Sequence, residues 1–254
     1  MAAKTAKTEK TDEITIPALK RGEVNLRIIG TTPLIQNSMS QKMKQYFLVG
    51  SHKKTSTEKA EIKHNPLEEF RDSAEVISEG PTAIGLRVVA VKAAMCTAAI
   101  ETAGLNKTTA QRLLFMPGDF ASLYGTPQLR MDVARSADNN KTPDVRTRAF
   151  LPMWCAEINI QYIMPKLSTA SVVKLLCNAG MLIGVGDYRQ EQGKGSFGSF
   201  RVIGPGEQDD EWDELVTNHG REAQEAALAE PTYADDETAA LMEYFEEEKK
   251  RRAA

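Results

Sequence analysis

The sequence has few of the residues that build metal centres and no segment that could cross a membrane. Its 254 residues include three cysteines and three histidines, and no two of them have metal-ligand spacing. Cys96, Cys155 and Cys177 are far apart within apolar patterns, so we expect buried free thiols in a reducing compartment. No apolar run approaches the roughly 18 residues of a membrane span, and the N-terminus has no apolar signal segment. We therefore expect no metal, no cofactor and no membrane attachment.

The motifs of common catalytic machinery are also missing. The segment Gly193-Lys-Gly-Ser lacks the upstream glycine spacing of a phosphate-binding P-loop. Ser196 has no histidine nearby in sequence that could serve as the base of a nucleophilic triad. Asp187 has no identifiable second carboxylate with which it could bind a catalytic metal. We therefore expect a protein that is not an enzyme.

Charge is distributed unevenly along the chain, although the formal net charge is only −3. Residues 207–254 contain 16 acidic and 5 basic side chains, whereas residues 1–206 contain 19 acidic and 27 basic ones. A basic body followed by an acidic tail is typical of nucleic-acid-binding proteins, in which the tail competes for the basic surface. A tail that only maintains solubility accounts for the charges equally well.

Changes in composition divide the chain into three parts. Residues 1–22 are rich in lysine and threonine without periodicity, which predicts a disordered arm. Residues 23–205 contain the apolar patterns of a folded core, and a basic insertion with six lysines and two acids interrupts them at 38–65. Residues 206–254 form the acidic tail, which we expect to be helical or disordered.

Periodicity locates the main strands and helices of the core. Glu23–Ile28 and Cys155–Ile163 alternate apolar with polar residues, as half-buried strands do. Apolar residues recur at helical spacing over 91–102, ahead of a capping Gly104, and again over 172–179 after a capping Ser168. Shorter strands are predicted at 113–116, 128–133, 145–150 and 200–203, and a short helix at 66–77.

These elements follow the order β-α-β-β-α-β once the insertions are set aside. The predicted fold class is therefore α+β, with a ferredoxin-like core similar to that of the RNA-recognition motif. Such a core has an antiparallel sheet with helices on one face, and the other face is free to bind a ligand.

Glycine is concentrated between the second predicted helix and the last strand. Six of the 22 residues in Gly180–Arg201 are glycine, out of 17 in the whole chain. Glycine permits positive φ and the close approach of another chain, and backbone N–H groups in such a loop can bind a phosphate. The stretch also contains Arg189, Lys194 and aromatic residues. A flexible turn is the alternative, although a simple turn needs only one or two glycines.

This glycine stretch resembles the signature of the RAMP superfamily, the repeat-associated mysterious proteins. The matching segments are Gly184-Val-Gly186-Asp-Tyr-Arg189 and Gly193-Lys-Gly195-Ser-Phe-Gly198. The resemblance implies a ferredoxin-like fold and kinship with the backbone subunit of CRISPR effector complexes, which binds the crRNA and polymerises along it. The acidic tail is not typical of that subunit and favours a stand-alone, phage-encoded relative. The implied location is the bacterial cytoplasm, including that of a phage-infected cell.

The residues expected to contact nucleic acid are glycines, basic side chains and aromatic rings. The glycines allow backbone approach, the basic side chains bind phosphates and the rings stack on bases. Arg146 and Arg148 share one face of a strand by period two, where ordinary solvated charge is the alternative. The full set is Gly184, Gly186, Tyr188, Arg189, Gly193, Lys194, Gly195, Phe197, Gly198, Arg201, Arg146, Arg148 and Lys92. Arg130 and Arg135 are weaker candidates.

The function predicted from these residues is non-enzymatic binding of single-stranded RNA or DNA. Copies would assemble side by side along the strand into a filament or ring, and the acidic tail would dock other proteins. A second hypothesis is a structural or interaction protein, such as a virion component or a mimic of a CRISPR subunit. A third is a nuclease, which lacks support because no histidine lies near the glycine stretch.

Overall fold

The computed structural model describes residues 17–49, 64–135, 143–192, 195–204 and 206–253. This part of the chain has two antiparallel sheets and eight α-helices, which confirms the α+β class. Residues 1–16 of the predicted N-terminal arm and residues 50–63, half of the basic insertion, lie outside the described residues.

Strands and helices alternate along the described chain. The strands are β1 (Lys20–Gly30), β2 (Leu34–Gln36), β3 (Gly85–Arg87), β4 (Leu114–Phe115), β5 (Phe120–Tyr124), β6 (Gln128–Arg135), β7 (Pro143–Leu151), β8 (Cys155–Met164) and β9 (Phe200–Ile203). The helices are α1 (Gln41–Val49), α2 (Pro66–Ser73), α3 (Val88–Ala103), α4 (Lys107–Leu113), α5 (Thr169–Leu182), α6 (Asp210–Asn218), α7 (Arg221–Ala229) and α8 (Asp236–Ala253).

The central sheet has the strand order β3-β5-β8-β1-β9, and β4 also pairs with β8. Its ladders are antiparallel, and the longest joins β1 to β8 from Lys20 to Ile29 of β1. The alternation predicted for these two strands is confirmed. Leu26, Ile28 and Ile158 are buried on one face, because side chains two residues apart on a strand share a face.

Helices α3 and α5 pack against each other and complete the main hydrophobic core with the central sheet. Met95 of α3 and Leu176 of α5 are both fully buried there. The predicted helix caps are confirmed as well. Gly104 ends α3 in the left-handed conformation at φ +61°, and the Ser168 hydroxyl accepts a hydrogen bond from the Ser171 N–H at the start of α5.

The second sheet has the strand order β2-β7-β6. Its β6–β7 hairpin confirms the two strands predicted at 128–133 and 145–150. Leu129 and Met131 of β6 are buried in the main core, and helices α2 and α8 contact the hairpin. The hairpin is therefore fixed to the body of the protein along one of its faces.

Several short elements depart from the sequence predictions. The strand predicted at 113–116 is confined to Leu114–Phe115, because α4 extends through Leu113. The helix predicted at 66–77 ends at Ser73, since Val76 leaves it to form a β-bridge with Ile84. Strands β2, β3 and β5 were not predicted, because none of them has a run long enough to show an alternating pattern.

The acidic C-terminal segment is helical and folds against the rest of the chain. Helix α6 places Trp212 and Leu215 against Ile29, Cys155 and Ile203, which together form a second, smaller hydrophobic cluster. Ile29 and Cys155 are paired across β1 and β8, on the face opposite the main core. Helix α6 therefore covers one end of the face of the central sheet that α3 and α5 leave open.

Two of the three cysteines are buried as predicted, and Cys177 is only half-buried. Burial, together with the nearby carboxylates Glu211 and Asp209, raises the pKa of the Cys155 thiol to about 12. Among the described residues, no group of three or more His, Cys, Asp or Glu is arranged to hold a metal ion. Within the same residues, no helix combines the length and apolarity needed to cross a membrane.

Gln224 of α7 is fully buried and joins separate segments of the core. Its side-chain oxygen accepts hydrogen bonds from the N–H groups of Ala83 and Ile84 at 2.7 and 3.1 Å. Its amide nitrogen donates to the carbonyl oxygens of Leu123 and Gly125 at 2.7 and 3.0 Å. The C-terminal segment is thus tied into the hydrogen-bond network of the body.

We expect Gln224→Ala to lower the free energy of unfolding by about 3–5 kcal/mol, because each buried group left without a partner costs about 1–3 kcal/mol. Urea denaturation followed by circular dichroism measures the change. Glu225→Ala is the control on the same helix, since it removes only the exposed ion pair with Arg221 and should cost less than about 1 kcal/mol. Equal losses in the two variants would contradict the structural role of Gln224.

Candidate nucleic-acid interface

The glycine stretch forms a loop that is hydrogen-bonded to itself and to the segment around β2. The Val185 N–H donates to the carbonyl oxygen of Gly198 at 2.9 Å, which closes the loop on itself. The Asp187 N–H donates to the carbonyl oxygen of Ile35 at 2.9 Å, and the Gly198 N–H donates to that of Pro33 at 2.8 Å. The loop is therefore held in place at both of its ends.

Three of the candidate glycines are required by the packing of this loop. Gly198 has φ +71°, and a Cβ atom there would overlap the carbonyl oxygen of Val185. A Cβ atom at Gly195 would overlap the carbonyl oxygen of Tyr188. These glycines let the chain approach itself closely, so their contact with a ligand stays a prediction. Gly186 has φ +83°, and a Cβ atom there would lie 2.6 Å from the carbonyl oxygen of Ile35. Gly184 lies in the same loop at φ +75°.

Tyr188 has an unusual backbone conformation within this loop. Its φ is +50°, and no other non-glycine residue in the described part of the chain has a positive φ. For an L-residue this conformation costs roughly 1–2 kcal/mol. The hydrogen bonds on either side of Tyr188 hold it there and direct its ring toward the second sheet, where it lies beside Arg148.

One face of the β6–β7 hairpin carries charged and aromatic side chains. Arg130 of β6 is paired with Arg148 of β7, and Asp132 is paired with Arg146. Phe150 lies two residues beyond Arg148 on the same face. Arg146 and Arg148 thus share a face, as their spacing predicts. Arg146 is exposed and lies 3.5 Å from a carboxylate oxygen of Asp144.

Arg148 is the most buried of the three arginines on this face of the hairpin, with only 6% of its surface exposed. Its guanidinium carbon lies 5.0 Å from the centre of the Tyr188 ring. Its Nε lies 2.9 Å from Asp187 Oδ2, and its Nη1 lies 3.9 Å from Asp132 Oδ2. Neither contact has hydrogen-bond geometry, so both nitrogens are buried without a hydrogen-bond acceptor. Two carboxylates therefore balance the charge of Arg148 without saturating its donors.

Arg130 lies between two aromatic rings on the same face. Its guanidinium carbon is 5.2 Å from the centre of the Phe150 ring and 5.5 Å from that of Phe197. The two rings meet edge to face at 6.2 Å, and the Arg130 Nε donates to both carboxylate oxygens of Asp132 at 3.1 Å. Stacking and hydrogen bonding together fix the orientation of this guanidinium.

We call these five residues the arginine–aromatic cluster: Arg130, Arg148, Phe150, Tyr188 and Phe197. Arg148, Tyr188 and Phe197 were predicted from the sequence and Arg130 was a weaker candidate, whereas Phe150 was not predicted. Side chains two residues apart on a strand share a face. The sequence alone could therefore have placed Arg130 beside Asp132 and Arg148 beside Phe150. The pairing of β6 with β7 and the position of the glycine loop above them depend on the tertiary structure.

The other candidate residues have different surroundings. Arg189 donates to a carboxylate oxygen of Glu191 at 2.8 Å. Arg201 of β9 forms ion pairs with Asp209 and Glu211 at 2.7 and 3.1 Å, and these carboxylates, Asp209 first, raise its pKa. Lys92 is half-buried on α3. Gly193 and Lys194 lie outside the described residues.

The cluster offers donors and flat apolar surfaces close together. Guanidinium groups donate to phosphate oxygens in pairs, and aromatic rings stack on nucleobases. Two arginines face two carboxylates, Asp132 and Asp187, so the described cluster is close to neutral. The positive electrostatic potential that attracts a polyanion would therefore have to come from the other basic residues of 1–206.

We expect Gly198→Ala to lower the free energy of unfolding by more than 3 kcal/mol, combining roughly 1–2 kcal/mol for positive φ with the cost of moving the backbone away from Val185. Gly104→Ala is the matched control, because Gly104 also has positive φ but has no atom within 4 Å of an added Cβ. That variant should lose only the roughly 1–2 kcal/mol for positive φ. Urea denaturation of both variants measures the difference, and equal losses would contradict the close packing of the loop.

No protein-family model matches the chain, and no curated protein is significantly similar to it in sequence. The resemblance of the glycine stretch to the RAMP signature therefore stays a prediction. The arginine–aromatic cluster has to be interpreted from its own geometry.

Proposed function

We propose that the chain binds single-stranded nucleic acid, without acting as an enzyme, at the arginine–aromatic cluster. The observation that carries the proposal is the guanidinium of Arg148, which is buried against Tyr188 and retains two nitrogens without hydrogen-bond acceptors. A buried donor without a partner costs about 1–3 kcal/mol, and more when it is charged. Both nitrogens are closed off from solvent in the unbound chain, so a ligand oxygen would remove this cost once the side chains that cover Arg148 move aside. Phosphate oxygens match the fork of donors on a guanidinium.

The aromatic members of the cluster support contact with bases. Tyr188 and Phe197 are half-buried and therefore keep part of each ring accessible. Stacking of a base on such a ring contributes about 1–3 kcal/mol whatever the base, because every base has a flat face. The positive φ of Tyr188 supports the same reading, since strained residues are concentrated at ligand-binding sites.

Little preference for nucleotide sequence would follow from this chemistry. The proposed contacts are to phosphates and to the faces of bases, and neither carries sequence information. Copies would bind side by side along one strand, which can be RNA or DNA. We place this activity in the bacterial cytoplasm, where three free thiols stay reduced.

We also propose that the central sheet and its two helices form a ferredoxin-like unit of the RAMP type. In chain order its parts would be β1, α3, β5, β8, α5 and β9, which is the β-α-β-β-α-β arrangement. The observed sheet order β9-β1-β8-β5 supports this assignment. The β2-β7-β6 sheet would then be an addition to that unit, and it carries most of the arginine–aromatic cluster.

We expect Arg148→Gln to weaken binding to a single-stranded oligonucleotide of about 30 residues at least tenfold at low salt, as loss of a charge-assisted contact does. Fluorescence anisotropy with labelled RNA and DNA measures the affinity. The log–log dependence of affinity on salt should become shallower by about 0.7, the value for one phosphate contact on a single strand. Absence of binding by the wild type at low salt would overturn the proposal.

Two further variants separate loss of contact from loss of fold. Tyr188→Leu removes a stacking surface without removing charge, so it should weaken binding about tenfold and leave the salt dependence unchanged. Arg252→Gln is the matched control, because it removes an exposed arginine at the end of α8 and should bind as the wild type does. Wild-type affinity in both cluster variants would count against this site, and cleavage of the oligonucleotide would favour the nuclease hypothesis.

A further inference from the structure

A carboxylate of the glycine loop lies against the buried guanidinium of the arginine–aromatic cluster. The Oδ2 atom of Asp187 is 2.9 Å from the Nε atom of Arg148, but the contact lacks hydrogen-bond geometry and leaves that nitrogen without an acceptor. Carboxylate and phosphate oxygens bind a guanidinium in the same way, as negatively charged acceptors of its N–H groups. Asp187 therefore occupies the position that a phosphate of the proposed ligand needs.

Asp187 is held beside Arg148 by hydrogen bonds from its own loop and from the segment after β2. Its Oδ1 accepts a hydrogen bond from the Tyr188 N–H at 3.0 Å, and its Oδ2 accepts one from the side-chain amide of Asn37 at 3.1 Å. The Asp187 N–H donates to the carbonyl oxygen of Ile35 at 2.9 Å. Because the backbone is fixed at this point, we expect a turn of side chains, rather than a shift of the loop, to uncover Arg148.

The two carboxylates that face Arg148 differ in how firmly they are held. Asp132 is the more distant one, with its Oδ2 3.9 Å from the Nη1 atom of Arg148, and both of its oxygens accept from the Arg130 Nε at 3.1 Å. The side chain of Asp187 is 33% exposed, and that of Asp132 is 22% exposed. Asp187 can turn toward water without breaking a second ion pair, whereas Asp132 would have to leave Arg130. The carboxylate that leaves Arg148 more easily is therefore that of Asp187.

Removal of this carboxylate requires that another anion take its place. A buried charge without a partner is strongly destabilising, so a neutral ligand would not compensate for the loss of Asp187. A phosphate restores the negative charge, and its oxygens can accept from the two nitrogens of Arg148 that have no acceptor in the unbound chain. The exchange therefore favours a ligand with anionic oxygens, which every nucleotide of a strand supplies.

We propose that the Asp187 carboxylate competes with the phosphate of nucleic acid for Arg148 and is displaced when a strand binds. The inference rests on the proposed function, because it concerns the occupancy of the same site in the unbound chain. In that state the carboxylate balances the charge of Arg148, and the loss of this contact on binding lowers the net affinity for the strand. Asp187 thus sets the affinity without contacting the ligand.

Asp187→Asn tests this competition, because it removes the charge and keeps the size of the side chain. Its affinity for the labelled oligonucleotides at low salt should exceed that of the wild type roughly three- to tenfold, since one charge-assisted contact no longer has to be broken. Glu101→Gln is the control, because it removes the same charge from an exposed position on α3. Screening should limit its effect on affinity to less than about twofold. Fluorescence anisotropy measures all three proteins.

The combination of Asp187→Asn with Arg148→Gln gives the sharpest result. If Asp187 competes for Arg148, its replacement has no effect once Arg148 is absent, so the double variant should bind as Arg148→Gln alone does. A general effect of charge would instead raise the affinity by the same factor in both backgrounds. Equal gains in the two backgrounds would overturn the proposal, and so would an affinity of Asp187→Asn alone that does not exceed that of the wild type.

Hydrogen exchange without nucleic acid tests the covering contact directly. The Arg148 Nε–H is buried, and Asp187→Asn should speed its exchange with water at least about tenfold, because the side chain that covers it is held less firmly. Nuclear magnetic resonance of isotope-labelled arginine side chains follows this proton. The exposed Arg252 is the reference, and its exchange should not change. An unchanged rate at Arg148 would overturn the covering contact and the proposal with it.

Failure of the competition can be told apart from failure of the binding function. Binding by the wild type without a gain in Asp187→Asn would count against the competition alone. Absence of binding by both proteins would overturn the binding function and the competition with it, and the exchange rate would still report whether Asp187 covers Arg148. Circular dichroism checks that the variants are folded. Asp187→Ser is a second variant with the same expected gain, because its hydroxyl can still accept from the Tyr188 N–H while the carboxylate is absent.

Discussion

The antiparallel pairing of β1 with β8 is the interaction on which the rest of this structure depends. The ladder joins ten residue pairs, from Lys20 with Met164 to Ile29 with Cys155. Because side chains alternate between faces, the same two strands build the main core with α3 and α5 on one side and hold Trp212 of α6 on the other. A shift of one residue in this register would exchange the two faces, so the body and the C-terminal helices would be lost together.

The arginine–aromatic cluster follows from the path that the chain must take around this ladder. The glycine loop leaves α5 on one side of the sheet and has to deliver β9 to its edge, beside β1. On the way it is hydrogen-bonded to the segment around β2, and there Tyr188 and Asp187 meet Arg148 of β7. The same path explains the glycines, because the loop backbone passes close to its own carbonyl oxygens at Gly195 and Gly198.

The acidic C-terminal segment has a different role from that of a free tail. Its helices bury Trp212, Gln224 and Met242, and Asp209 and Glu211 are paired with Arg201 of the sheet. Much of the negative charge is therefore displayed on a folded surface. A charged surface of fixed shape can contribute to a specific contact, because both its charges and its apolar side chains keep their positions.

The sequence by itself determined the α+β class, the alternation of β1 and β8, the two main helices with their caps, and the shared face of Arg146 and Arg148. Each of these depends on periodicity or on a local hydrogen bond, and both can be read from neighbouring residues. Only the tertiary structure decided that Arg130 and Phe150 join Arg148 and that the glycine loop lies above them. These depend on which strands pair and which segments pack, and such contacts join residues that are far apart in the chain.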